Sequence, residues 1–390
     1  MFIRIFRLCM LFSSSRRSCS KLPTILSILF WIGFSCLSIG CTTDGSSAPL
    51  PPQLAHLSSS VRWSQSEFRH TLPSRSDTLI RFHVAMLKKS DDAPAILFLP
   101  GAGPASRFGT RTDNGLTSYP APIEVTSLLM AEAAQQGFLA MAYDKRTCGP
   151  DDDPRCNDNV HSDIDELGPQ ALSSDVDRAC EILEKQSSFN GQIVLWAHGQ
   201  SGQVALTSTC MERAQALVLV APIPRRVDRV MVDALYARAQ HPALRSQANA
   251  NRSSLDEQTT PPSGRAIALK NKASSLAETF TALSDGRFSK DAKLWGVEAS
   301  FWTNWIQLTD DVPGPNPKPS IPWLVVLGEN DGQFSPGDKK RIAKWGNHAA
   351  IQLMKLPAVD HHLIADNTLG TAQIAPIFRE LMRLLSNGAT

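Results

Sequence analysis

The first 21 residues of this 390-residue chain contain no acidic side chain, although they carry Arg4, Arg7, Arg16, Arg17 and Lys21. That imbalance removes one reading of the slightly basic total. Without residues 1–40 the chain loses five basic residues and no acidic ones, so its formal charge moves from +2 to −3. What remains has no basic excess to set against phosphates, and no nucleic-acid partner is expected. A recognisable cation-ligand loop is also missing. The Asp151–Asp153 run stands without one and reads as solvated loop, so neither a metal nor a cofactor is expected.

What the N-terminus does have is a basic segment followed by the apolar stretch LPTILSILFWIGFSCLSIG and then Cys41. This is the layout of an export signal over residues 1–40. Its ending, SIGC, resembles the bacterial lipoprotein cleavage box with Cys41 as the lipidated residue, although Ser38 stands where that box prefers Leu. An uncleaved anchor or an ordinary cleaved signal are the alternatives. The expected location is the bacterial cell envelope, exported and membrane-attached through lipid. TTDGSSAPLPPQLAHLSSS then reads as a Ser/Pro-rich tether, giving a linker over 41–60. Four cysteines lie beyond it. Cys148 and Cys156 bracket the loop CGPDDDPRC, and an exported chain is expected to close it with a disulfide. Cys180 and Cys210 fall on apolar positions of expected helices and read as buried free thiols.

From residue 61 to 390 the pattern is that of one α/β domain. EFRHTL and TLIRFHVAML alternate as an antiparallel hairpin would. AILFLP, GFLAMAYD, IVLWAH, ALVLVAP and PWLVVLG are short, continuous apolar runs, suited to strands of a mostly parallel sheet covered on both faces. Helical patterns lie between them; Leu172, Val176, Ala179, Cys180 and Leu183 share one face. Such alternation predicts a doubly wound architecture. The rhythm breaks at about 223–320, an insertion expected to form a helical lid. Its Trp295, Phe301, Trp302 and Trp305 suit either an apolar pocket or simple packing onto the sheet.

Four pieces follow one another in a telling order: PGAGP (100–104), AHGQSG (197–202), GENDGQ (328–333) and DHH (360–362). With YDKRTCG (143–149) and SFWTNWIQLTD (300–310), they make residues 67–390 resemble the bacterial α/β-hydrolases of the serine esterase and S9/S33-peptidase-like superfamily. The resemblance implies the α/β-hydrolase fold and a triad whose acid is Asp331 and whose base is His361, with His362 as its neighbouring rival. It also implies an oxyanion hole from the backbone amides of Ala102 and of the residue after the nucleophile.

The nucleophile has two registers. GQSGQ read literally offers Ser201, but places Gln203 where strand and helix crowd together. Aligning AHGQSG with the family's GHSxGG keeps small residues at every crowded position, places Gly199 at the elbow tip and makes Gln200 the second oxyanion donor. Glycine tolerates the positive φ of an elbow tip but has no hydroxyl to acylate. Three readings stay open. The foremost is a pseudo-hydrolase that binds an acyl or other hydrophobic small molecule, or a partner. The others are a serine esterase or peptidase using Ser201, Asp331 and His361, and water attack assisted by His361. The sequence leaves the oligomeric state undetermined.

Overall fold

A computed structural model describes residues 46–47, 52–57, 59–70, 78–103, 105–113, 118–146, 148, 168–240, 264–294, 297–310, 320–365 and 371–387. The export signal, Cys41, the Asp151–Asp153 run, Cys156 and Trp295 lie outside these residues. Among the described residues no helix is long and apolar enough to cross a membrane.

The elements, in chain order, are β1 (Ser46–Ser47), β2 (Val61–His70), β3 (Thr78–Leu87), β4 (Ala93–Leu99), β5 (Thr110–Asp113), β6 (Ser118–Glu124), α1 (Val125–Gln135), β7 (Leu139–Tyr143), α2 (Pro169–Leu183), β8 (Phe189–His198), α3 (Ser201–Thr207) and β9 (Ala216–Val220). There follow α4 (Val227–Gln240), α5 (Gly264–Ser284), the two-residue strands β10 (Lys293–Leu294) and β11 (Val297–Glu298), α6 (Ala299–Asp310), β12 (Trp323–Gly328), α7 (Pro336–Trp345), β13 (Ile351–Leu356) and α8 (Thr371–Asn387). Nine strands form the main sheet in the order β1-β2-β3-β7-β4-β8-β9-β12-β13. The first three pairings are antiparallel. Every pairing from β7 onward is parallel. Every residue of β4, β7, β9 and β12 is buried, which is why these strands read as unbroken apolar runs. The edge strand β13 is only partly buried and mixes polar with apolar positions.

Helix faces follow from spacing. In α2, Leu172, Val176, Ala179, Cys180 and Leu183 are all buried, and Pro169 occupies the first turn, where its missing N–H costs nothing. In α8, Ile374, Ile377, Phe378, Leu381 and Leu385 recur at three- and four-residue steps and are buried. Phe378 stacks on Trp196 of β8 at 5.3 Å, so the helix braces the strand that carries the elbow. Within the insertion, Trp305 is buried, while Phe301 and Trp302 are half-buried and in edge contact with each other.

One expectation is corrected. Cys180 and Cys210 are buried as foreseen, but they are not free thiols: a disulfide joins them across a 30-residue separation, with Cα atoms 6.1 Å apart. Helical spacing placed both side chains inside without indicating that α2 and the 3-10 turn Thr209–Glu212 bring them face to face. Cys148 is also disulfide-bonded. Closing a loop of 30 residues removes chain entropy from the unfolded state worth about 3.6 kcal/mol. Replacing both cysteines by alanine should therefore lower unfolding stability in urea by about 2–4 kcal/mol, and a change under 0.5 kcal/mol would contradict that account.

Candidate active site

The site forms where β4, β8, β12 and β13 deliver their following loops to one end of the sheet. The first loop is held by the end of β7. Tyr143 is buried in the strand, and the three residues after it each fix a different piece of the rim. Asp144 accepts from the Arg107 backbone N–H at 2.7 Å and from its Nη1 at 2.6 Å. Lys145 Nζ donates to the carbonyls of Gly101 (3.0 Å) and Gly103 (3.1 Å), inside the PGAGP turn. Arg146 Nε donates to Asp175 of α2 at 2.8 Å. These charges are buried, so each needs its partner to offset desolvation. Burial, then the Arg111 charge, pushes the Lys145 ammonium down to about 8, while burial raises the Asp144 carboxyl despite Arg107.

The second loop is the elbow. β8 ends at His198, Gly199 follows with φ of 58°, and α3 begins at Ser201. The Gly199 N–H donates to Val220 of β9, which ties the tip to the neighbouring strand. A Cβ built on Gly199 would meet nothing nearer than the Ala221 carbonyl at 4.0 Å, so the space above the tip is open. Ser201 is buried and its hydroxyl is engaged locally. It accepts from the His198 N–H at 2.8 Å and donates to the His198 carbonyl at 3.0 Å. Gln203 is buried as well and donates to the Ile223 carbonyl.

The third and fourth loops carry the acid and the imidazole. Asp331 Oδ2 accepts from His361 Nδ1 at 2.8 Å, and its Oδ1 accepts from the Gln333 N–H at 2.7 Å. Burial alone would raise this carboxyl, but His361 and the Gln333 amide outweigh it and hold it below the usual carboxylate range. The loops touch because residue 328 is glycine. A Cβ there would stand 2.5 Å from the Val359 carbonyl and 2.4 Å from that of Asp360. Asp360 Oδ1 accepts the N–H groups of His362 and Ile364, which shapes the histidine turn. Ala358 and Leu363 flank that turn at φ of 61° and 64°, and Ala221 beside the elbow has φ of 45°. Non-glycine residues in this region are strained, and all three lie around the site.

Three imidazoles meet here. His198 lies 4.8 Å from His361 and 5.5 Å from His362, and the last two are 5.1 Å apart, measured between ring centroids. His198 Nε2 donates to the His361 carbonyl at 2.9 Å, which fixes the proton on Nε2 in the neutral ring. Burial, then the charges of His361 and Arg111, pushes His198 down to about 3. Burial and the same two neighbours hold His362 well below the ordinary value. Among the described residues no group of His, Cys, Asp and Glu has the geometry of a metal site. Ala102 lies exposed in its turn and Gln200 follows the tip. The arrangement thus joins the Asp331–His361 pair to the Gly199 elbow and the PGAGP turn, with Ser201 turned back toward the strand. Sequence reading had not singled out Arg111, which lines the adjoining cavity, or Lys145 as the support of the turn. A basic residue inside the YDKR motif was the available signal for Lys145; Arg111 offered none.

The match to a family model agrees with this architecture. The model of the "Alpha/beta hydrolase family" matches residues 96–372. No curated protein matches the sequence. Among solved structures, Est1E from Butyrivibrio proteoclasticus is similar with a TM-score of 0.46 at 11% identity, covering 81% of this chain and 99% of that one. A carboxylesterase structure from the thaumarchaeon Nitrososphaera gargenis gives 0.44 at 13% identity, with 83% and 99% covered. The peroxisomal α/β-hydrolase Lpx1 from Saccharomyces cerevisiae gives 0.45 at 11%, with 83% and 88% covered.

The histidines set a pH dependence. His83, buried on β3 and next to Arg107, is also pushed down to about 3, by burial first and then by that charge. In the unfolded chain His83, His198 and His362 each titrate at about 6.5. Below that pH the unfolded state binds protons that the folded state refuses, so stability falls as pH falls, by up to about 1.4 kcal/mol per unit for each histidine. The raised carboxyls of Asp144 and Glu124 work in the opposite sense, so the net uptake is fewer than three protons. Urea midpoints should drop clearly between pH 6.5 and 5, with the His83 and His198 imidazoles still neutral by NMR at pH 5. A flat profile, or either ring titrating near 6.5, would refute this assignment.

Proposed function

The chain belongs to the alpha/beta hydrolase family, and we propose that it is a member without covalent serine catalysis, which uses its site to bind a small acyl-type ligand. The observation that carries this reading is the backbone at Gly199: φ of 58° between the end of a strand and the start of a helix, the left-handed conformation of an elbow tip. A glycine there offers no oxygen for an acyl-enzyme. Ser201 is a poor substitute because its hydroxyl closes a two-bond ring with the His198 backbone and is buried. Drawing it out would break both hydrogen bonds to the His198 backbone, worth about 0.5–1.5 kcal/mol each. In this reading the amides of Ala102 and Gln200 form the polar rim of the ligand site. The acid-free basic leader and Cys41 support an exported, lipid-attached protein.

A second reading has its own support. Asp331 and His361 keep the hydrogen bond of an acid–base pair, so His361 can take a proton from a water that attacks an ester carbonyl directly. The tetrahedral adduct then collapses, the alcohol leaves with that proton, and no covalent bond to the protein forms. Such activity would be slow and would vanish in His361→Ala.

The test is fluorophosphonate labelling together with hydrolysis of short-chain nitrophenyl esters. The native protein should remain unlabelled. Gly199→Ser should become labelled on residue 199 and gain ester hydrolysis on the order of 10²-fold, because the introduced Oγ enters open space within the elbow. Ser201→Ala should lose about 1 kcal/mol of stability without changing either readout. Labelling of the native protein that disappears in Ser201→Ala would overturn the proposal in favour of a serine hydrolase.

A further inference from the structure

Between Lys339 and Val359 the chain carries five basic residues and no acidic one, although the chain beyond residue 40 has a formal charge of −3. Four of the five lie on α7 and the fifth, Lys355, on the edge strand β13. Spacing decides where they point. Asp338, Ile342 and Trp345 are buried and mark the inner face of α7, so Lys340 and Lys344, one turn apart, stand on the outer face with Arg341 beside them, all three exposed. On β13, Leu353 packs against the end of α7, since a Cβ on Gly346 would meet its Cβ at 3.2 Å. Lys355 is two residues further on and therefore projects from the same face of the sheet. Helix and strand thus pool their cations on one side of the sheet edge.

These charges are not balanced locally. Lys339 donates to the Glu329 carbonyl at 3.1 Å, so Glu329, exposed in the loop after β12, contributes its backbone rather than its carboxylate. No hydrogen bond or ion pair among the described residues engages Lys340, Arg341, Lys344 or Lys355. Asp338, the only acid on the helix, is buried and held by Arg225 at 2.6 Å. On the opposite face of β13, Arg383 of α8 reaches Gln352, but its charge is matched by Glu380. A lysine on an edge strand blunts pairing with another sheet, which accounts for Lys355 and not for the helix. A solvated helix commonly interleaves the two signs, and like charges one turn apart, as at Lys340 and Lys344, cost it stability.

We propose that this face docks on the headgroups of an anionic lipid bilayer and orients the domain there. The proposal rests on the reading that the chain is exported and attached through Cys41. Cys41 precedes Ser46 of β1 by five residues, at most about 18 Å of chain, so an attached domain stays beside the headgroups. β1 and β13 are the two edges of the nine-stranded sheet, eight strand spacings or about 38 Å apart. Attachment at the β1 edge alone leaves the domain free to pivot, and a cationic β13 edge supplies a second contact. Each lysine or arginine close to an anionic bilayer adds an attraction that falls away within a Debye length. Five of them on one side of a domain that is otherwise acidic therefore select lipid phosphates and are released by salt.

The test mixes the full-length protein with vesicles of phosphatidylcholine alone or of phosphatidylcholine with phosphatidylglycerol, and follows lysine acetylation by mass spectrometry. The anchor is present in both arms, so the difference between them reads the basic face. On the anionic vesicles Lys340, Lys344 and Lys355 should react at least fivefold more slowly than on the neutral ones, and high salt should restore them. Exposed Lys270 and Lys272 of α5 are the reference and should not change. Lys340→Glu with Lys344→Glu should abolish the protection of Lys355, whereas Lys270→Glu with Lys272→Glu, the same change in net charge, should preserve it. The proposal is overturned if the native protein shows no protection on anionic vesicles, equal protection on neutral ones, or equal protection of Lys270 and Lys272. Protection in native membranes that is missing on the pure anionic vesicles would overturn it in favour of an acidic protein partner. The mass of the Cys41 peptide tests the attachment reading separately. An unmodified Cys41 in a soluble protein removes that reading, while the vesicle result still decides whether α7 and β13 recognise anionic lipid.

Discussion

Between His198 and Ser201 the chain passes from a buried central strand into a helix, with only Gly199 and Gln200 to make the turn. β9 lies directly alongside, pairing His198 with Val220, and the Gly199 amide must reach the Val220 carbonyl. A positive φ at the tip meets both demands, and the rest of the site is arranged around that reversal. Ser201 closes the turn through the His198 backbone, and His198 in turn supports the histidine loop through the His361 carbonyl. Most side chains at such a tip would be held in strain, so a residue with a hydroxyl there has to be justified by chemistry. On the proposed reading, glycine removes the strain and the acyl-enzyme chemistry together.

The rim depends on electrostatics that most of the sheet avoids. Three consecutive charged residues after β7 reach in three directions, to Arg107, to the turn carbonyls and to Asp175. A loop at a strand end has few apolar contacts to fix it, and directional bonds to buried charges supply what packing cannot. The cost is that each group needs its partner, since an unpaired buried charge is far more costly than an unpaired exposed one. The loops that carry the candidate site are therefore stiff by hydrogen bonding, in contrast to the sheet beneath them, which is stiff by burial.

The strands were legible because a two-sided sheet forces continuous apolar runs, and the helices because one buried face forces a 3.6-residue period. β2 begins at Val61, earlier than the alternation starting at EFRHTL suggested; its buried residues Val61, Trp63 and Phe68 do not keep a strict two-residue period. The Asp331–His361 pair was legible through the family resemblance that the order of the motifs carries. Arg111 was not, because its place depends on a β5–β6 hairpin that no periodicity announces. The Cys180–Cys210 bond failed for a related reason: burial is a local property of spacing, whereas pairing needs the relative placement of two elements.

The intact Asp331–His361 pair beside a tip without a hydroxyl invites an argument about what such a pair is for. In a serine hydrolase the carboxylate orients the imidazole and stabilises its charged form during the reaction. Here the same bond also does structural work. It anchors the turn Val359–Leu363 to the loop after β12, where Gly328 lets the two backbones approach within contact, and it gives a buried carboxylate a partner. Removing the histidine would leave Asp331 buried with only the Gln333 amide. The pair therefore keeps a physical reason to exist in the absence of catalysis, and its presence alone does not argue for an enzyme. Geometry at the tip separates the two roles, because only a group that projects into the space above Gly199 can turn a structural hydrogen bond into a proton relay.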